Sequence, residues 1–213
     1  MTALCGSAGV VEAVVKAMAE GLESAKVQEG GCSVLCRGNG GGQNQAVIGG
    51  GGGIQAVVAA MRQHPSQGAV QEQGCGALWN LAWSNADNQV KIAGAGGVEA
   101  IVAAMTQHPS AAGVQEWGCG ALWNLAANNA DNRVKIAGAG GIEAVLGAMR
   151  QHPSATGVQE RGCGALWNLA AENADNKAKI NAAGGAQAIR AAMAAHPSSS
   201  NVQAWGQGAL GCL

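Results

Sequence analysis

The sequence holds no phenylalanine and no tyrosine, and its six tryptophans are the only aromatics among 213 residues. A core built without them is filled by Ala, Val, Ile and Leu. Contact residues that small predict closely spaced helices, because interaxial distance follows side-chain size. Charge is scarce as well: 12 Lys and Arg stand against 13 Asp and Glu, a formal charge of −1. Binding to a phosphate backbone draws on many cationic contacts, so nucleic acid is not expected as the main partner. No stretch reaches the roughly 18 uncharged apolar residues of a membrane span. The first helix-like segment carries Glu12, Lys16 and Glu20 within its apolar pattern, unlike a secretory leader. Seven cysteines, an odd number with no CxxC pair, do not form a recognisable disulfide framework. Reduced thiols and a cytoplasmic, or else nuclear, location are expected.

What the sequence has is repetition. GCGALWNLA occurs unchanged at Gly74–Ala82, Gly118–Ala126 and Gly162–Ala170, at a constant spacing of 44 residues. A period in that range signals stacked helical units rather than one globular core. Each full unit reads as three helices. A short one runs through NQVKIAG, NRVKIAG or NKAKINA and is expected to be capped by Asp87, Asp131 or Asp175. A Gly-Gly pair, Gly96 and Gly97 in one copy, then turns the chain. The second helix carries Val98, Ile101, Val102 and Met105 at i, i+3, i+4, i+7 spacing. It stops at QHPS, because Pro109 cannot continue a helix and disfavours the α region in the residue before it. The third helix is predicted from about Ala112 to Ala127. Near the N-terminus, glycines at Gly38–Gly42 and Gly49–Gly53 weaken two helices, each costing about 1 kcal/mol relative to Ala. The first 55 or so residues are therefore expected to be the least ordered.

GGIEAVLGAMRQHP and VQERGCGALWNLAAENADN resemble the second and third helices of the armadillo repeat, and the resemblance covers essentially the whole chain. It implies an all-α, right-handed armadillo-type α-solenoid of about four to five repeats. The expected boundaries lie near 43–86, 87–130, 131–174 and 175–213, with a partial repeat at 1–42. Neither end carries a polar capping helix, so both ends read as incomplete. A continuing array or end-to-end self-association would follow.

At 100° per residue, Gly74, Cys75, Leu81 and Ala82 fall within about 60° of Leu78 and mark the core face of the third helix. Trp79, Trp123 and Trp167 lie on a flank, where each indole is expected to lock against a small residue of the next unit, Ala77, Ala121 or Ala165 being the small residues of the other flank. Asn80, Asn124 and Asn168 point away from the core, with Gly76, Gly120 and Gly164 beside them. In the armadillo family a matching Asn lines the concave groove and holds the backbone of an extended peptide, which implies that role for Asn80, Asn124 and Asn168. Karyopherin-alpha-type members carry a Trp four residues before this Asn, where this chain has glycine, so a basic nuclear-localisation peptide is not the expected ligand. Arg37 and Cys212 replace the Asn in the first and last units. Gln73, Trp117, Arg161 and Trp205 vary where the rest is constant and face the same groove, which makes them candidates for specificity.

Other signals carry less. His64, His108, His152 and His196 recur one repeat apart, about 10 Å by helix packing, whereas metal ligands reach their ion at about 2 Å. A role at the helix C-terminus is expected instead. The glycine runs lack the Lys and Ser or Thr of a phosphate loop. Neither catalytic residues nor a cofactor, metal or small-molecule substrate is indicated. The sequence therefore predicts a non-enzymatic scaffold that binds a peptide or protein partner, with a self-assembling structural module as the alternative.

Overall fold

A computed structural model describes residues 8–37 and 42–213, and every described regular element is an α-helix. The helices are α1 (Ala8–Glu20), α2 (Ala25–Arg37), α3 (Gly42–Gly50), α4 (Gly53–Gln63), α5 (Gly68–Ala82), α6 (Ala86–Gly94), α7 (Gly97–Gln107) and α8 (Ala112–Ala126). They continue as α9 (Ala130–Gly138), α10 (Gly141–Gln151), α11 (Thr156–Ala170), α12 (Ala174–Ala182), α13 (Gly185–Ala195) and α14 (Ser200–Cys212). From α3 onward a short, a medium and a long helix recur in that order. The long third helices α2, α5, α8, α11 and α14 form one continuous row, each packed on the next. The glycines at 49–53 do not prevent α3 and α4 from forming, while the expected fraying at 38–41 lies outside the described residues.

The medium helices begin where the sequence placed a break. Gly52, Gly96, Gly140 and Gly184 adopt φ between 77° and 83°, the left-handed region that a side chain disfavours. The short helices begin differently from expectation. Their N-caps are Asn85, Asn129 and Asn173, whose side chains accept from the backbone N–H of Asn88, Asn132 and Asn176. Asp87, Asp131 and Asp175 sit two residues later, in the first turn, where a carboxylate favours the positive end of the helix dipole. Both residue types suit a cap; only the Asn lies outside the helix.

Packing within a repeat turns on absent side chains. Met61, Met105 and Met149 fill the space where a Cβ on Gly74, Gly118 or Gly162 would be, with the Met Cγ 2.6 Å from that point. A buried glutamine fixes the same two helices. Gln71 donates from Nε2 to the carbonyls of Met61 (2.9 Å) and His64 (2.8 Å), and Gln28, Gln115, Gln159 and Gln203 repeat the clasp. The histidines do more than end a helix. Each is a C-cap residue in the full repeats, and the Nε2 of His108 lies 2.6 Å from Pro65 O of the preceding repeat. His152 and His196 make the same contact with Pro109 and Pro153.

The turns after α5, α8 and α11 are strained. Ser84, Asn128 and Glu172 hold φ of 51°, 52° and 50°. Left-handed backbone costs an ordinary residue about 1–2 kcal/mol, and Asn and Gly tolerate it best. Replacing the exposed Ser84 by Gly should therefore stabilise the chain by about 1 kcal/mol, read as a higher urea midpoint. An unchanged midpoint would show that the turn stores no strain.

Candidate functional site

The side chains on the outward face of the third helices converge. Trp79 of α5 and Arg161 of α11 belong to helices with α8 between them, yet the Arg161 Cζ lies 5.0 Å from the Trp79 ring centroid. Trp123 of α8 and Trp205 of α14 meet across α11 with centroids 5.0 Å apart and rings at 67°. Side chains two repeats apart can touch only where the row of helices curves toward them. That face is the concave one.

Glycine lies beneath these side chains and lets them lie flat. A Cβ on Gly120 would sit 2.9 Å from Arg161 Cδ and 3.0 Å from Trp79 Cδ1. One repeat on, a Cβ on Gly164 would sit 2.6 Å from Trp123 Cε2, and Gly208 lies under Trp167 in the same way. Tryptophan thus locks neighbouring repeats as expected, but its partner is the glycine and not the alanine one residue later. Ala77, Ala121 and Ala165 are sealed in the core. The glycines are roofed by indoles and do not themselves line the groove; Gly76, where Cys36 takes the place of a Trp, is covered by the Cys36 Sγ and Trp117.

Two aromatic clusters result. In the first, Trp117 lies 4.9 Å from Trp79, and the Arg161 guanidinium stacks at 4.3 Å from Trp117. Glu116 pairs with Arg161, whose side chain is only 16% exposed. A cation held between a carboxylate and two indoles is constrained in both position and charge. In the second, Trp205 packs on Trp167 at 5.5 Å as well as on Trp123. The indole Nε1 of Trp205 is buried with no hydrogen-bond partner. Trp117, Arg161 and Trp205 are therefore brought together with the flank tryptophans, and Gln73 stands on α5 outside both clusters. Glu116 escaped the sequence reading because every full repeat has Glu at that position, which conceals its pairing with the one arginine.

Asn124 and Asn168 donate from Nδ2 to the carbonyls of Trp79 (2.9 Å) and Trp123 (3.0 Å) in the preceding repeat. Asn80 bonds to Cys36 O at 3.0 Å. All three are half-buried. Their amide N–H groups therefore tie repeats together. Cys75, Cys119 and Cys163 lie beneath them, fully buried, and burial pushes the thiols of Cys119 and Cys163 up to about 12. At neutral pH these sulfurs act as small apolar core atoms and not as nucleophiles. No helix among the described residues is long and apolar enough to cross a membrane.

The LRRK2 ARM repeat family matches residues 53–213. No curated protein matches the sequence. Among solved structures, an engineered protein from a structural genomics consortium superposes with a TM-score of 0.83 at 27% identity, over 96% of this chain and 79% of its own. A designed armadillo repeat protein gives 0.82 at 21% identity, over 96% and 82%. Another, in complex with the peptide (KR)4, gives 0.80 at 20% identity, over 96% and 82%.

Proposed function

This chain belongs to the armadillo-repeat family, and we propose that it is a non-catalytic interaction scaffold that takes an extended peptide or partner segment along its concave face. The repeats begin near residues 43, 87, 131 and 175. The observation that carries this reading is the convergence of Trp79, Trp117 and Arg161, and of Trp123, Trp167 and Trp205, onto one concave surface. Indole faces supply apolar area with little entropy to lose, and an ordered arginine offers planar donors. Beside them run Asn80, Asn124 and Asn168. With the Nδ2 of Asn124 and Asn168 engaged on the preceding repeat, the carbonyl oxygen is the group left to accept from a peptide N–H. Gln73, Trp117, Arg161 and Trp205 read the ligand's side chains. A designed armadillo protein of the same fold is in complex with (KR)4, which supports this use of the fold but not that ligand. The partner acts in the cytoplasm or nucleus.

A displayed peptide library tests the reading. A selected peptide should bind saturably to the intact chain and lose about tenfold or more in affinity on Trp117→Ala or Trp205→Ala, as expected for aromatic hot spots, with helicity retained. Asn124→Ala should weaken it less. Binding unaffected by both tryptophan changes would defeat the proposal. Mass that grows with concentration in light scattering, and is abolished by polar substitution at Leu210 and Leu213, would favour end-to-end assembly instead.

A further inference from the structure

Trp79, Trp117 and Glu116 form a cage that the chain fills with its own side chain. The guanidinium of Arg161, entering from α11, lies 4.3 Å from the Trp117 ring and 5.0 Å from the Trp79 ring, and Glu116 pairs with it. Two indole faces and a carboxylate favour a positive guest, since ring quadrupole and charge act in the same direction. Gly120 makes the reach possible, because a Cβ there would come 2.9 Å from Arg161 Cδ.

The arrangement is confined to one repeat. Glu29, Glu72, Glu116 and Glu160 hold the same position of α2, α5, α8 and α11, and the residues that face them from the next repeat are Gln73, Trp117, Arg161 and Trp205. Among the described residues, Glu116 is the one of these four glutamates in an ion pair. Glu160 accepts from a neutral donor instead, Asn201 Nδ2 at 3.0 Å. In the second cluster Trp205 packs across to Trp123 as Arg161 does to Trp79, so an indole replaces the cation. Both clusters are thus charge-balanced or uncharged before any ligand arrives.

We propose that Arg161 sets the charge selectivity of the concave groove, an inference that rests on that groove being the binding face. By occupying the cage of Glu116, Trp79 and Trp117 it excludes basic side chains, and the partner segment presents an uncharged, apolar residue there. A lysine or arginine brought to this level meets a like charge and gains Glu116 only by breaking a mostly buried ion pair. A carboxylate gains little, because Glu116 already stands beside the guanidinium. Selectivity against a class of ligand commonly needs such a repulsive element.

The test uses the full chain and the peptide (KR)4, the ligand of a designed protein of this fold, followed by fluorescence anisotropy at physiological salt. The unaltered chain should bind it weakly. Arg161→Gln, the residue that position 73 already carries in α5, should empty the cage and tighten (KR)4 binding about tenfold or more. Arg161→Ala should do the same and serves if the first variant folds poorly. Adding Glu116→Gln should remove the gain. Arg190→Ala takes one positive charge from the exposed surface of α13 and should leave (KR)4 binding unchanged. Peptides selected from the displayed library on the unaltered chain should be poor in Lys and Arg, and those selected on Arg161→Gln enriched in them. No gain from either Arg161 variant, an equal gain from Arg190→Ala, a gain that survives Glu116→Gln, or basic peptides selected by the unaltered chain would overturn the proposal. A library that yields no ligand defeats the groove as a binding face, whereas a Glu116-dependent gain for (KR)4 still establishes the cage, so the two failures are distinguishable.

Discussion

Replacing Gln115 by Leu should destabilise the chain by about 2–4 kcal/mol, far more than its similar volume suggests. The amide of Gln115 donates to Met105 O at 2.8 Å and to His108 O at 2.9 Å, and the residue is 2% exposed. Leucine would leave the Met105 carbonyl buried and unpaired, while the His108 carbonyl would lose one of two donors and keep the N–H of Ala111 at 3.1 Å. The one orphaned acceptor costs about 1–3 kcal/mol and the second lost bond about 1 kcal/mol more. Position matters as much as chemistry. In a solenoid each repeat contacts only its neighbours, so weakening the middle of the row uncouples its two sides. Gln115→Leu should broaden or split the denaturant transition. Gln203→Leu breaks the same clasp in α13 and α14 and should fray the C-terminal repeat alone. Hydrogen exchange distinguishes the two. Equal, small effects at both positions would show that the clasp is ornamental.

The second large effect is with alkali. The thiols of Cys32, Cys119 and Cys163 are held up at about 12 by burial, against 9.0 for an exposed cysteine, and Cys75 is raised likewise. Below pH 9 folded and unfolded chains both keep these protons, and stability does not depend on them. Between pH 9 and 12 the unfolded chain has released protons that the folded one still holds. Stability therefore falls with rising pH, by about 1.4 kcal/mol per thiol per pH unit. Four such groups should together make the urea midpoint fall steadily as the pH rises through that window. The variant with all four replaced by alanine should start from lower stability and lose it less steeply. Identical slopes in urea titrations across pH 8–11 would refute the linkage.

Period and helix order were plain in the sequence because GCGALWNLA recurs unchanged and glycine and proline punctuate it. The core face followed from the spacing of Leu78, Leu81 and Cys75. What escaped was polar and relational. Gln71 and Gln115 look like surface residues in VQE, since nothing in one segment shows that Met61 and Met105 offer carbonyls ten residues earlier. Gln89 and Arg133 are also buried, each bridging the carbonyl ends of two third helices. Their burial depends on curvature, which no single repeat encodes. The same holds for the groove. Helical angles put Trp79 on a flank and Arg161 on the face, but their meeting over Gly120 needs the bend between repeats. Asn124 was legible as a residue turned from the core, and its bond to Trp79 O was not.

The central claim is that the concave face is the binding face, and its tryptophans can report on it individually. Five of the six indoles lie in the two clusters, while Trp83, 62% exposed at the end of α5, belongs to neither. With a library-selected peptide titrated into the protein labelled with ¹⁵N at the indole nitrogen, the account expects the N–H signals of Trp79, Trp117, Trp123, Trp167 and Trp205 to shift together while Trp83 stays in place. Saturable binding that moves Trp83 alone, or none of the clustered indoles, would contradict it.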